Sequence, residues 1–200
     1  MKNYLNTTLL LLIAIGVWTG VPNFYLHPHA TQAQSPADLK DNEELARLYK
    51  EDQADRTPPA GKEIDWHTVS ERDHAREARV KELYRANQLK TGADYYHVAM
   101  ILQHAPAPED YLLAHELCVV AISKGEERAK WLAAASEDRF LMNIGRPQRF
   151  GTQFRSDGPN APFRLYKVDE SVTDELRREL KVPSLAESKK REAMLNEKKQ

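Results

Sequence analysis

The stretch from Asp94 to Phe154 constrains the fold more than any other part of the chain. Its long apolar runs are broken at intervals by Pro106 and Pro108, by Gly125, and by Gly145 followed by Pro147. Proline removes a helical hydrogen bond, and glycine adopts the left-handed conformation that stops a helix. The runs between these breaks are too long for strands and carry helical spacing. They predict a helix ending at Ala105, one from Pro108 to Lys124 and one from Glu126 to Asn143. The short link through Pro106 and Pro108 makes the first two an antiparallel hairpin. Terminal signals agree: Thr91-Gly-Ala-Asp94 has capping-box spacing, and Glu109 and Asp110 follow Pro108 at a helix start.

Two further helices precede this stretch. One is predicted from Asp38 to Ala54, with Leu45, Leu48 and Tyr49 as its apolar stripe and Asp52 with Asp55 or Arg56 extending the same face. Pro58, Pro59 and Gly61 end it. A second, from Asp65 to about Leu89, puts Trp66, Val69, Asp73, Arg76, Val80 and Leu83 on one face. Beyond the core stretch, residues 146–160 read as irregular, Phe163 to Val168 as a short extended segment, and Thr173 to Leu180 as a short helix. The expected fold is therefore mainly α: a single bundle of about five antiparallel helices with a short extended C-terminal segment. A helical domain over residues 34–183 and a charged tail over 184–200 complete the division.

Residues 1–33 carry a different signal. Lys2 precedes the apolar run Leu9 to Trp18, and small and polar residues follow as far as Ala33. That layout predicts a secretory signal peptide and export to the periplasm or beyond. The alternative is an uncleaved inner-membrane anchor from about Thr8 to Leu26, against which stand Pro22, Asn23 and two following histidines. Cys118 is the only cysteine, so no internal disulfide forms, and its setting in LCVVAI reads as a small buried hydrophobe. A formal net charge of -1 gives no general attraction to nucleic acid, which is not expected as a partner.

The residues open to chemistry are polar groups placed on apolar stripes: Asp73 and Arg76, His115, and Asp138 with Arg139. His115 shares a face with Tyr111, Leu112, Cys118, Val119 and Ile122, which predicts extensive desolvation. Buried groups of this kind must find partners. They either form a structural network, with Arg76 or Arg139 bridged to Asp73 or Asp138, or sit at the floor of a pocket as acid, base or ligand contacts. On the second reading His104, His115 and Asp138 are the candidate catalytic residues, and Arg139, Gln148, Thr152, Gln153, Asp73 and Arg76 the candidate ligand contacts. The loop from Gly145 to Phe154 has the amides, hydroxyl and guanidinium groups to recognise a polar ligand, or to tie its own backbone to the bundle.

No metal and no cofactor is expected. His97 and His104 are about 10 Å apart along a helix, too far to share an ion. A hairpin turning near Ala107 sets His115 opposite Met100 instead of His104. Glycine-rich phosphate loops and the Gly-x-Ser-x-Gly nucleophile motif are absent from the sequence.

Asp52 to Arg56, DYYHVAMILQH, YLLAHELCVVA, the run from Trp131-Leu132 to Asp138-Arg139, and GRPQRFGTQF together resemble an uncharacterised bacterial family, domain of unknown function 6624. The resemblance spans about Leu45 to Glu187. It implies a helical domain and no known reaction. Separately, AHELCVVAISKGEERAKWLAAAS is similar to one tetratricopeptide-like (Sel1-like) helical pair, without a second copy. Two functions are expected from these features. The favoured one is a non-catalytic module that binds a peptide or another envelope protein. The alternative is an enzyme acting on a polar small molecule or peptide with a His/Asp acid-base pair.

Overall fold

The structure, a computed structural model, describes residues 39–158 and 161–197. The proposed export signal lies outside them. Helices α1 (Glu43–Asp55), α2 (Trp66–Arg85), α3 (Gly92–Leu102), α4 (Pro108–Ser123) and α5 (Ala129–Asn143) form the bundle. A short antiparallel pair follows, β1 (Phe154–Arg155) and β2 (Arg164–Leu165), then α6 (Asp174–Glu179) and α7 (Leu185–Glu197). The chain is mainly helical, as its sequence spacing predicts. No helix among the described residues is long and apolar enough to cross a membrane.

The capping box at the start of α3 is present, and it does more than cap. Thr91 Oγ1 accepts from the Asp94 amide, and Asp94 accepts in turn from the Thr91 amide. The same buried carboxylate accepts from the amides of Lys90 and Asn42, each at 2.8 Å. Asn42 is itself the N-cap of α1, its side chain accepting from the amides of Glu44 and Leu45. One carboxylate therefore joins the beginnings of two helices distant in sequence.

Small residues set how closely the central helices approach. Ala114 and Ala121 of α4 and Ala129 and Ala133 of α5 are all buried in the main core, with Leu117, Cys118 and Leu132 between them. Gly92 lies so close to the end of α4 that a Cβ there would come within 3.0 Å of the Glu126 side chain. At the far ends, Gly125 (φ +86°) and Gly145 (φ +75°) occupy the left-handed positions expected after α4 and α5.

Helical spacing places Trp66 on the inward stripe of α2, and Trp131 on that of α5 with Leu132, Ala135, Asp138, Arg139 and Met142; at both tryptophans the structure differs. Trp66 is 63% exposed because it opens α2 beyond the edge of the core, whose first α2 member is Val69. Trp131 is 38% exposed, since α5 turns its alanines toward α4 and leaves the bulkier ring outside. On α4 the inward face is Tyr111, Ala114, Leu117, Cys118 and Ala121. Leu112 and Val119, expected beside His115 in the interior, are exposed, and His115 is half-buried.

The charged tail, for which the sequence leaves a frayed helix open, is helical as α7 and is tied to the sheet. Glu192 accepts from the Leu165 amide at 2.8 Å. Asn196 accepts from the Phe163 amide at 2.8 Å and donates to the Phe163 carbonyl at 3.0 Å. These bonds fix α7 against β2.

Because Asp94 receives three backbone donors from two helix starts, Asp94→Ala should cost about 3 kcal/mol in urea denaturation. Thr91→Ala, which removes a single cap, should cost about 1 kcal/mol. Equal effects from the two substitutions would contradict this role for Asp94.

Candidate functional site

Asp138 is fully buried on the inward side of α5, and its four hydrogen bonds all come from the following loop. One oxygen accepts from the amides of Arg149 and Phe150 at 2.7 and 2.9 Å. The other accepts from the amide and hydroxyl of Thr152 at 3.0 and 2.8 Å. The loop wraps the carboxylate as a backbone nest. Gln148, also fully buried, holds the same loop from the opposite side. Its amide nitrogen donates to the carbonyls of Gln153 and Tyr166, and its oxygen accepts from the Gln153 amide. Gln153 donates to the Ala135 carbonyl of α5. Arg177 of α6, fully buried too, donates to the carbonyls of Arg149, Phe150 and Val172 and pairs with Asp174 at 3.1 Å. Of the two readings of residues 145–154, these bonds are the one in which the polar side chains tie the loop to the bundle.

A second polar cluster lies where the C-terminal end of α1 meets α2. Arg56 bridges Asp52 at 2.8 Å and Asp73 at 2.5 Å, while Arg76 bridges Asp73 at 2.6 Å and Asp55 at 2.8 Å. The Arg76–Asp73 pair is one the sequence predicts. Burial pushes the Asp52 carboxyl up to about 6, against the pull of Arg56. His104, just past α3, places Nε2 3.7 Å from Asp52. Burial, with Arg56 and Arg139 nearby, holds this imidazole down to about 3, so at neutral pH the contact is not an ion pair. His104 also lines a recess of about 140 Å³ with Asp73, Trp66 and Pro106.

Arg139 forms no ion pair with either cluster. Its Nη1 donates to the Gln103 carbonyl at 2.7 Å, its Nε donates to Gln153 at 3.3 Å, and its guanidinium lies 5.8 Å from the centre of the Tyr111 ring. It makes no bridge to Asp138.

The candidate residues therefore separate. Asp73, Arg76 and His104 share one neighbourhood, into which the charges of Arg139 and Arg56 reach. Asp138 of α5 holds the loop that carries Gln148 and Thr152, and no hydrogen bond joins Asp138 to either histidine. Among its ring contacts, His115 uses Nδ1 to bond the Ala133 carbonyl at 2.9 Å. His97 stacks on Tyr49 with ring centres 4.5 Å apart. Burial raises the Cys118 thiol to about 12, which keeps it protonated and unreactive. Among the described residues no three metal-ligating side chains come together.

The surface that sequence reasoning missed lies on the outer side of the loop. Trp131, Phe154 and Pro183 surround a recess of about 160 Å³ whose inner wall is Gly151, Thr152 and Ser188, with Glu187 and Arg191 at its edge. Gly151 has φ +83°, so the turn favours glycine, while an added Cβ would meet Ser188 of α7 at 3.6 Å, an ordinary contact distance. Arg191 lies over the Phe154 ring at 5.7 Å. Only the pairing of Trp131 with Phe154, at the end of GRPQRFGTQF, could have hinted at this surface.

Comparison of the chain with protein-family models, with curated proteins and with solved structures finds no match.

His104 supplies a pH test. In the unfolded chain its imidazole takes up a proton near the ordinary histidine value of 6.5, while in the fold it resists protonation down to about 3. Its contribution is thus present above 6.5 and is lost as the pH falls toward 3. Between pH 7 and pH 4 the wild type should lose about 3 kcal/mol more stability than His104→Gln, measured by urea denaturation at the two pH values. Parallel losses would show that His104 is solvated.

Proposed function

We propose that this protein is a peptide- or protein-binding module of the cell envelope, and that the recess between Trp131, Phe154 and Arg191 receives a side chain of its partner. The observation that carries this reading is an exposed aromatic recess beside a loop held by buried bonds. A volume of about 160 Å³ suits one apolar side chain and is below the size of cofactor pockets. An exposed tryptophan beside an arginine is the composition on which binding energy at interfaces concentrates. Fixing the loop before binding lowers the ordering cost that association would otherwise carry. Glu187 and Arg191 at the edge supply polar groups for a peptide backbone. The envelope assignment rests on the signal-like N-terminus.

Panning a displayed random-peptide library on the purified protein should enrich sequences sharing one apolar anchor residue. An enriched peptide should bind Trp131→Ala about tenfold or more weakly, with the helical circular dichroism of the variant unchanged. Enrichment without a shared anchor, or equal binding by the variant, would overturn the proposal.

A further inference from the structure

Interior guanidinium groups in this fold are matched by carboxylates, with one exception. Arg56 has Asp52 and Asp73, Arg76 has Asp55 and Asp73, and Arg177 has Asp174. Arg139 has no carboxylate within bridging distance among the described residues, although burial is enough to push its guanidinium below the ordinary arginine value. A cation removed from water without a counter-charge is costly, and proteins ordinarily match it. Two neutral acceptors, the Gln103 carbonyl and the Gln153 side chain, occupy two of its five N–H groups. Three donors are left over, on the two terminal nitrogens. Those nitrogens form the fork that binds a planar or tetrahedral oxyanion through two parallel hydrogen bonds.

The surroundings fit an anion as well. Arg139 is half-buried, and its unbonded Nη2 is not sealed from solvent, unlike the buried partnerless His104 Nε2. The Tyr111 ring lies with its centre 5.8 Å from the guanidinium, and the positive charge of Arg56 acts on the same neighbourhood. His104 Nε2, which the Arg139 charge also influences, is buried and has no hydrogen-bond partner. A guanidinium serving only to tie helices would be expected to resemble Arg177, whose carbonyl contacts are accompanied by an aspartate.

We infer that Arg139, backed by Tyr111 and Gln153, anchors a binding site for an oxyanion-bearing small ligand, a carboxylate or a phosphate, where the end of α3 and the start of α4 face α5. The site shares no residue with the lining of the aromatic recess and does not depend on that reading. The anion would supply the charge that the chain itself does not.

Side-chain arginine NMR of the intact protein gives the test, with sodium acetate and inorganic phosphate as separate probes and sodium chloride as the control. The Arg139 guanidinium resonance should shift saturably with acetate, with phosphate or with both, at a Kd on the order of millimolar, and chloride should not reproduce the shift. The ion that binds more tightly distinguishes the carboxylate source from the phosphate source. Arg177, with its charge matched, should show no such shift. Arg139→Lys, which keeps the charge and loses the fork, should weaken binding about tenfold. Absence of a saturable Arg139 response to both ions up to about 50 mM would overturn the inference, because a preformed oxyanion site should fill at millimolar concentrations. So would an equal response at Arg177.

Discussion

The Asp138 carboxylate and the four loop donors around it are the joint on which the outer half of this structure depends. A carboxylate buried to this degree is strongly unfavourable without partners, and the loop from Arg149 to Thr152 supplies them from its backbone and one hydroxyl. The same exchange satisfies amides that an irregular segment would otherwise leave without acceptors against the bundle. Each side of the bargain is therefore costly alone and favourable together. Gln148 and Arg177 complete the arrangement, since both meet the loop's carbonyls. With the loop fixed, Gly151 and Thr152 become a wall, α7 docks against it, and the recess beneath Trp131 takes its shape.

The inner half uses the same device. Asp94 ties the starts of α1 and α3, and Asp52, Asp55 and Asp73 engage the two arginines between α1 and α2. Surface ion pairs contribute little, but these are partly or wholly desolvated, and removing one member strands its partner in the interior. Buried ionisable groups in this protein therefore act chiefly as joints between elements that the alanine-rich contact of α4 with α5 does not reach. Arg139 is the interior charge without a carboxylate among the described residues, and only two of its N–H groups have a protein acceptor.

Helices and their stops were legible in the sequence because proline, glycine and caps act locally. Gly125 and Gly145 stand where the backbone turns left-handed, and the Thr91 capping box closes as its spacing requires. That Arg76 and Asp138 turn inward was legible from helical periodicity. Their partners were not. Asp138 lies on an α5 face flanked by Arg139, yet it reaches a loop up to fourteen residues away, because four convergent donors satisfy a carboxylate better than one neighbouring cation can. Trp66 and Trp131 misled for a related reason: hydrophobicity marks a stripe, but alanine at the α4–α5 contact decides which side of it closes. The docking of α7 through Glu192 and Asn196 depends on two polar residues in a highly charged segment, where no apolar periodicity announces a buried face.

Native-state amide hydrogen exchange at Arg149, Phe150 and Thr152 tests the role of Asp138 most directly. These three amides should exchange as slowly as amides in the middle of α5, and Asp138→Asn should release them selectively while α3 and α4 stay protected. Exchange of the three amides in the wild type at the rate of an unrestrained surface loop would contradict it.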